Sequence, residues 1–375
     1  MNKNLNSETQ KINLCSSFGD PTVPKVWSGT PYNIYLELKK RNQVADTFCT
    51  DIPFWIKLPL SVLTILVYGK NETYRATFRR YICAIKCWFR TRLSVSSNTL
   101  SLGSLSFPFP VNTPRQNHYL LTDTTWDLWS RHSESAQQCP EKSSLLFDKL
   151  DKLAFTQAKH VFSTSQYVKD NLVKHYAISP EKITVVGTGL GIIEPYYGEK
   201  DYSNRKILFA AKDRFIDKGG NLVIEAFQKA LKSDPKLELT IVGSEEARKF
   251  ENLPNTKFLG FIPLNDLQEL FNTHSLFLMP ALNEPWGLVY LEAMACKMPI
   301  MGLNRNSFPE ISGCGKYGFI LEEETSDEIA NSIVDAFKNL EKLEEMGKKG
   351  QIYCLENFSW TKTVDRILGV VNRGE

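Results

Sequence analysis

One stretch constrains the fold of this chain more than any other: SLFLMPALNEPWGLVYLEAMACKMPIMGLNRNSFPE, residues 275–310. Its first apolar run, Leu276–Met279, is too short for a helix and is closed by Pro280 and Asn283, so it predicts a buried strand. A second short apolar run, Pro299–Gly302, predicts another. Between them, from about Gly287, lies a helical segment. Two strands joined through a helix pair in parallel, with a right-handed crossover, inside a sheet covered on both faces. Two glutamates mark the unit. Glu284 is held in the loop by Pro285 and Gly287, while Glu292 falls about five residues into the helix, roughly 7.5 Å along its axis.

Such a helix start offers unpaired backbone N–H groups and the positive end of a dipole, which suit a phosphate or diphosphate. A carboxylate on either side can accept hydrogen bonds from sugar hydroxyls. A plain strand–helix unit would explain Glu284 as a cap and Glu292 as a solvated charge; the residues between the two glutamates argue for more.

NEPWGLVYLEAMACKMPIM resembles the donor-site signature of retaining glycosyltransferase family 4, whose pattern is EPFGL-x-x-LEAMA-x-G-x-P. Trp286 stands where Phe is usual and Lys297 where Gly is usual. The resemblance implies a GT-B fold, an α/β architecture of two Rossmann-like doubly wound domains facing each other across a cleft. It implies that Glu292 holds a nucleotide ribose and that Glu284 lies by the diphosphate and sugar, with Gly287 and Leu288 at the nucleotide-binding helix start.

The rest of the chain reads as βα units consistent with two such domains, for which 375 residues suffice. Ile12–Leu14 predicts a first strand, followed by a Pro/Gly-rich loop and a helix from about Tyr32 to Arg41. Gly29, at that helix entry, is either a phosphate-approach position or part of an ordinary cap at Thr30; the resemblance favours the former. His118–Trp129 predicts a strand and a polar turn. Asp123 falls at the carboxyl end of that strand, where substrates meet a parallel sheet. The family's usual His-Asp pair is missing there, and His118 lies five residues earlier, so Asp123 ranks above it. Strands and helices over 145–186 close a first domain, and Gly187–Asn204 predicts the linker.

The second domain opens with Ile207–Ala211 and a cationic loop carrying Lys212, Arg214 and Lys218 ahead of Gly219-Gly220. Cations at such a place can neutralise a diphosphate leaving group. The family pattern of Arg, four residues, Lys-Gly puts Lys218 in the site and leaves its partner open between Lys212 and Arg214. NSFPE resembles the family's G-x-x-P-E loop without its Gly, which adds Glu310 as a weaker candidate. The expected domains are residues 1–188, 189–358, and a final helix, 359–375, returning to the first domain.

Residues 54–92 are the anomaly. Leu58–Tyr68 is an apolar run too short to span a bilayer. Beyond it, Tyr74, Phe78, Tyr81, Ile82, Ile85, Trp88 and Phe89 recur at helical spacing among Arg75, Arg79, Arg80, Lys86 and Arg90. From Lys57 to Arg92 there are eight basic residues against one acid, Glu72. A basic amphipathic helix of this kind is a candidate membrane-surface element, and a core-packing helix with solvated charges is its rival.

A net charge of +3 argues against a generic polyanion binder, so no nucleic-acid partner is expected. The polar opening MNKNLNSETQ resembles no secretory signal. The eight cysteines lack CxxC pairing and predict free thiols in a reducing cytosol. Cys83 and Cys87 alone make a poor metal site. With no Asp-x-Asp motif, no metal or other cofactor is expected.

The resemblance thus implies a retaining, metal-independent transferase. It would move a sugar from a nucleoside-diphosphate sugar to a saccharide or lipid-linked acceptor, in cell-surface polysaccharide or glycolipid synthesis. Its expected place is the cytoplasm, at the inner face of the membrane. The competing readings are a nucleotide-sugar epimerase or phosphorylase of the same fold and a non-catalytic scaffold.

Overall fold

The structure, a computed structural model, describes residues 11–69, 77–107, 116–212 and 214–373. The chain divides into two compact units. One runs to Thr188 and takes back the segment from Trp360; the other is Gly189–Ser359.

The first unit holds six parallel strands, β1 (Ile12–Ser16), β2 (Val44–Cys49), β3 (Asn98–Leu102), β4 (Asn117–Thr122), β5 (His160–Ser163) and β6 (Ile183–Val185), in the order β2-β1-β3-β4-β5-β6. The order reverses between β1 and β3, and the loops that leave those strands diverge there. Ile12, Leu14, Leu100, Leu102, Tyr119 and Leu121 build its main core. The last helix, Trp360–Val371, adds Val364, Ile367 and Val371 to that core. Polar contacts tie it to helix Thr30–Lys40 and its end: Arg41 pairs with Asp365 at 2.9 Å, and Thr361 donates to Glu37 at 3.2 Å.

Two strands of this sheet escape a hydrophobicity reading, for different reasons. The edge strand β2 is half exposed, so it lacks a continuous apolar run. β3, sequence NTLSL, is wholly buried yet largely polar. Two of its three polar side chains are paired across the ladder: Asn13 donates to Thr99 at 3.3 Å, and Asn117 to Asn98 at 2.9 Å. Buried polar side chains are tolerated when they are hydrogen-bonded in this way.

The region 54–93 also departs from expectation. It forms two helices, Phe54–Tyr68 and Thr77–Leu93. Lys70, Glu72, Tyr74 and Arg75 lie outside the described residues. The described basic residues do not form a solvated cationic face. Arg79 and Lys57 both pair with Asp51, at 2.8 and 2.7 Å, and Lys86 donates to the Asp51 carbonyl at 2.5 Å. Arg80 is buried against Asp151 at 2.9 Å. Lys57, Arg79, Arg80 and Lys86 turn inward to the half-buried Asp51 and the buried Asp151, whereas Arg90 and Arg92 stay exposed and Tyr81 and Phe89 are left outside.

The second unit holds β7 (Lys206–Ala211), β8 (Glu238–Gly243), β9 (Thr256–Phe258), β10 (Leu276–Leu278), β11 (Ile300–Leu303) and β12 (Gly318–Leu321), in the order β12-β11-β10-β7-β8-β9. All neighbours are parallel. Numbered from its own first strand, this is the 3-2-1-4-5-6 order of a dinucleotide-binding fold read from its far edge. Near-continuous apolar strands and helix faces give it one large core. The order reverses between β7 and β10, so the loops after those two strands form a crevice at the sheet's carboxyl edge, where ligands of open α/β sheets bind.

Candidate donor-binding site

The β7 loop and the β10 loop meet at this switch point and are held by backbone contacts. The Asp217 carbonyl accepts from the N–H groups of Leu282 and Asn283 at 2.8 and 3.1 Å. Gly219, in the left-handed region at φ 79°, caps helix Gly220–Ser233. Any Cβ there would lie 2.1 Å from the Pro280 carbonyl oxygen, so only glycine lets the two loops close.

This closure brings the charges together. Lys218 Nζ forms an ion pair with the Glu284 carboxylate, both side chains being largely buried. Arg214 donates from Nε to Asp217 at 2.7 Å and from Nη2 to the Asn283 carbonyl at 3.0 Å. Arg214 itself sits at φ 57°, a left-handed conformation that a non-glycine residue adopts at some cost. Lys212, by contrast, is exposed at the end of β7. Of the two open partners for Lys218, the structure brings Arg214 to the loop that carries Glu284.

Beyond Glu284 the chain turns at Gly287, φ 85°, which caps helix Leu288–Ala295. A Cβ at Gly287 would sit 2.6 Å from the Tyr290 ring, and Tyr290 is fixed by donating to the Met279 carbonyl at 2.6 Å. Leu288 begins the helix, so the amides around it lack intrahelical acceptors and give the crevice a positive end. Ser307 donates to the Pro285 carbonyl at 2.5 Å, tying the next loop to this turn. Glu310 lies in the short helix Phe308–Ile311 beyond it.

Glu292 is the fifth residue of its helix and is 8% exposed. Its Oε1 accepts from the backbone N–H groups of Ile192 and Ile193, at 2.6 and 3.2 Å. Oε2 accepts no hydrogen bond among the described residues. Burial pushes this carboxyl up to about 7, an effect that the two amide donors oppose. Gly191 packs so close that a Cβ would lie 2.1 Å from Oε1. The segment Gly191–Ile193, which the sequence offers only as linker, is thus a clamp on Glu292.

Asn283 also goes unmarked in the sequence. It is 2% exposed, and its Nδ2 is buried without an acceptor among the described residues. Its one sequence signal is its place directly before Glu284.

The remaining two candidates belong to the first unit. Gly29, φ 84°, caps helix Thr30–Lys40 and is preceded by Trp27 and Ser28, also left-handed at φ 43° and 52°. Asp123, at the end of β4, accepts from Trp27 Nε1 at 3.2 Å. His118 is no rival to it. Its two ring nitrogens are buried without hydrogen bonds, and burial pulls its pKa down to about 4.

Two Rossmann-like units, one ordered 2-1-3-4-5-6 and the other 3-2-1-4-5-6, define the GT-B fold. Solved structures share it across nearly the whole chain. The sucrose-phosphate synthase of Thermosynechococcus elongatus superposes with a TM-score of 0.70 at 17% identity, covering 97% of this chain and 98% of its own. HepE of Anabaena, solved with UDP and glucose, gives 0.67 at 16% identity, covering 97% and 100%. In sequence, residues 198–353 match the family of glycosyl transferases group 1, so the second unit is a domain of that family. A D-inositol 3-phosphate glycosyltransferase of Paenarthrobacter aurescens is 27% identical over 217 residues, 52% of this chain. The chain spans about half the length of that curated relative, 52%.

Proposed function

We propose that the chain is a retaining glycosyltransferase of family 4 that transfers a sugar from a nucleoside-diphosphate sugar to an acceptor hydroxyl. The observation that carries this reading is the Lys218–Glu284 pair, with Arg214 beside it, at the switch point of the second sheet. A diphosphate bound there meets two cations and the amides of a glycine-opened helix start. These donors stabilise the charge that grows as the bond between the anomeric carbon and the diphosphate oxygen breaks. The leaving oxygen keeps the electron pair. The acceptor oxygen bonds to the same carbon on the same face, and its proton passes to the departing phosphate. No resident metal or cofactor enters this scheme, because Lys218 and Arg214 supply the positive charge.

Glu292 Oε2, with its neighbour Oε1 already held by two amides, is assigned to the ribose hydroxyls. Glu284 is assigned to the diphosphate and sugar, and Asn283 Nδ2 is a donor that a phosphate oxygen would satisfy. Gly287 and Leu288 line the nucleotide site, with Lys212 and Glu310 at its margin, while Gly29 and Asp123 are assigned to the substrate-binding edge of the first unit. The solved complex of HepE with UDP and glucose supports the donor class.

The acceptor is proposed to be a saccharide or a lipid-linked sugar in cell-surface polysaccharide or glycolipid synthesis, reached by peripheral contact with the inner face of the membrane. No helix among the described residues is long and apolar enough to cross it. A panel of nucleotide sugars, read by thermal shift and then by transfer to added acceptors in EDTA, tests the proposal. Stabilisation by one donor with transfer of its sugar is expected. Isomerisation of the donor, a strict metal requirement, or no stabilisation by any nucleotide would overturn it.

A further inference from the structure

Helix Phe54–Tyr68 is inside out. Its only buried residue is Thr64, and Lys57, Ser61 and Tyr68 on the same side are half-buried. Its apolar residues face outward: Phe54, Trp55, Leu58, Val62, Leu63, Ile65, Leu66 and Val67 are all exposed, Leu66 at 78% and Trp55 at 73%. At about 100° per residue these eight positions sweep roughly 220° of the helix, about twice the apolar stripe of an ordinary surface helix. On the neighbouring helix Thr77–Leu93, which it touches through Tyr68 and Phe78, the exposed residues Tyr81, Ile85, Phe89 and Leu93 recur every fourth position as a second outward stripe.

The polar groups of the first helix are satisfied from within. Ser61 donates to the Lys57 carbonyl at 2.8 Å and Thr64 to the Leu60 carbonyl at 2.7 Å, while Lys57 pairs with Asp51. Nothing on the outward face asks for water. A protein partner covers a stripe, whereas an apolar face of more than half a turn suits a medium that surrounds it. Two exposed cations stand at the end of the second stripe, beside Phe89 and Leu93: Arg90, paired with Asp46 at 3.1 Å, and Arg92, which lies 4.8 Å over the Trp88 ring and is the one lipid phosphates would meet.

We propose that these two helices dock the chain on a lipid bilayer by burying the Phe54–Tyr68 helix among the acyl chains, with apolar insertion rather than net charge as the main driving force. At 15 residues this helix is about 22 Å long, short of the ~30 Å hydrocarbon core, so it lies along the interface. The inward pairing of Arg79, Arg80, Lys57 and Lys86 leaves few cations for attraction to anionic lipid. This inference rests on the membrane contact proposed above and is independent of the transfer chemistry.

Flotation of the full chain with vesicles of pure zwitterionic phosphatidylcholine tests it. Binding is expected at low salt and within about threefold as strong at ~1 M salt, where charge attraction is screened beyond ~3 Å. The double variant Val62→Asp, Leu66→Asp is expected to lose at least tenfold in binding while keeping the wild-type melting profile and nucleotide-sugar thermal shift. Because both positions are exposed, the variant leaves the core intact. Vesicle binding confined to anionic lipid and abolished by salt would overturn the inference. So would a vesicle-free dimer that the same variant converts to monomer, since the face would then be covered by a second copy. Loss of the thermal shift in the wild-type chain would count against the donor site alone.

Discussion

The carboxyl edges of the two sheets solve the same geometric problem with different chemistry. In the second unit the switch point is lined with charge: Lys218, Glu284 and Arg214 on two loops closed by backbone hydrogen bonds. In the first unit the corresponding edge is aromatic and hydroxylic. Phe18 stacks on Trp27 at 4.5 Å, Trp27 donates to Asp123, and Thr50 and Ser106 share a hydrogen bond of 2.9 Å. A diphosphate demands preorganised cations and amides, whereas a sugar ring is served by a flat apolar face and neutral donors. The difference teaches that the fold supplies two equivalent crevices and the loop chemistry assigns their ligands.

The sharpest way to break this comparison is to remove the support of the first edge. Asp151 is 1% exposed and joins three parts of that unit: it accepts from Arg80, from Ser104 at 2.8 Å, and from the Trp126 amide at 2.8 Å. Arg80→Ala leaves its carboxylate buried and short of its charge partner. A loss of about 3–5 kcal/mol is expected in chemical denaturation. A loss below about 1 kcal/mol would show that the edge is held by other contacts.

At the second edge, Lys218→Ala is expected to lower turnover on the order of a hundredfold, as for loss of one preorganised charge contact. Turnover at the wild-type level would remove this lysine from the chemistry. Glu292→Gln is expected to weaken nucleotide binding by roughly tenfold, a loss of about 1.4 kcal/mol, as for a hydrogen bond to a charged group. Calorimetric titration with the nucleotide measures it.

The raised pKa of Glu292 adds a pH dependence. The folded chain holds this proton more tightly than the unfolded chain does. The stability it contributes is therefore fully present below the ordinary value of 4.5 and lost as pH rises through about 7. Hydroxyl donors from a ribose favour the ionised form, so nucleotide affinity should rise between about pH 5.5 and 7.5 and flatten in Glu292→Gln. An equal rise in both proteins would assign the dependence to another group. The smallest effect is expected for Trp27→Phe, which keeps the stack and removes the donor to Asp123. The Michaelis constant for acceptor should rise severalfold, near the ~1 kcal/mol of one hydrogen bond, with donor affinity unchanged.

Much of the second unit is legible in the sequence because its signals are local. Leu276–Met279 and Pro299–Gly302 are strands by apolarity and length, and the helix start at Gly287 follows from its residue type. The first unit is less so. β3 hides because its polar side chains find partners 19 and about 86 positions away, in Asn117 and Asn13. The clamp on Glu292 hides because the amides of Ile192 and Ile193 are backbone groups about a hundred positions upstream and carry no residue signature. Asn283 shows the same limit: its buried Nδ2 is a property of the closed loops, not of the residue type.

The sequence by itself determined the parallel α/β architecture and marked Lys218, Glu284 and Glu292, since periodicity, turn residues and motif spacing are properties of neighbouring residues. Only the tertiary structure decided that Arg214 rather than Lys212 reaches the Asn283–Glu284 turn. It also decided which way the helices of 54–93 face. Helical spacing separates an apolar side from a polar one but says nothing of which side meets the protein. Here Asp51 and the buried Asp151 draw Lys57, Arg79 and Arg80 inward, because a carboxylate taken out of water costs much when left unpaired, and the apolar side is left facing outward.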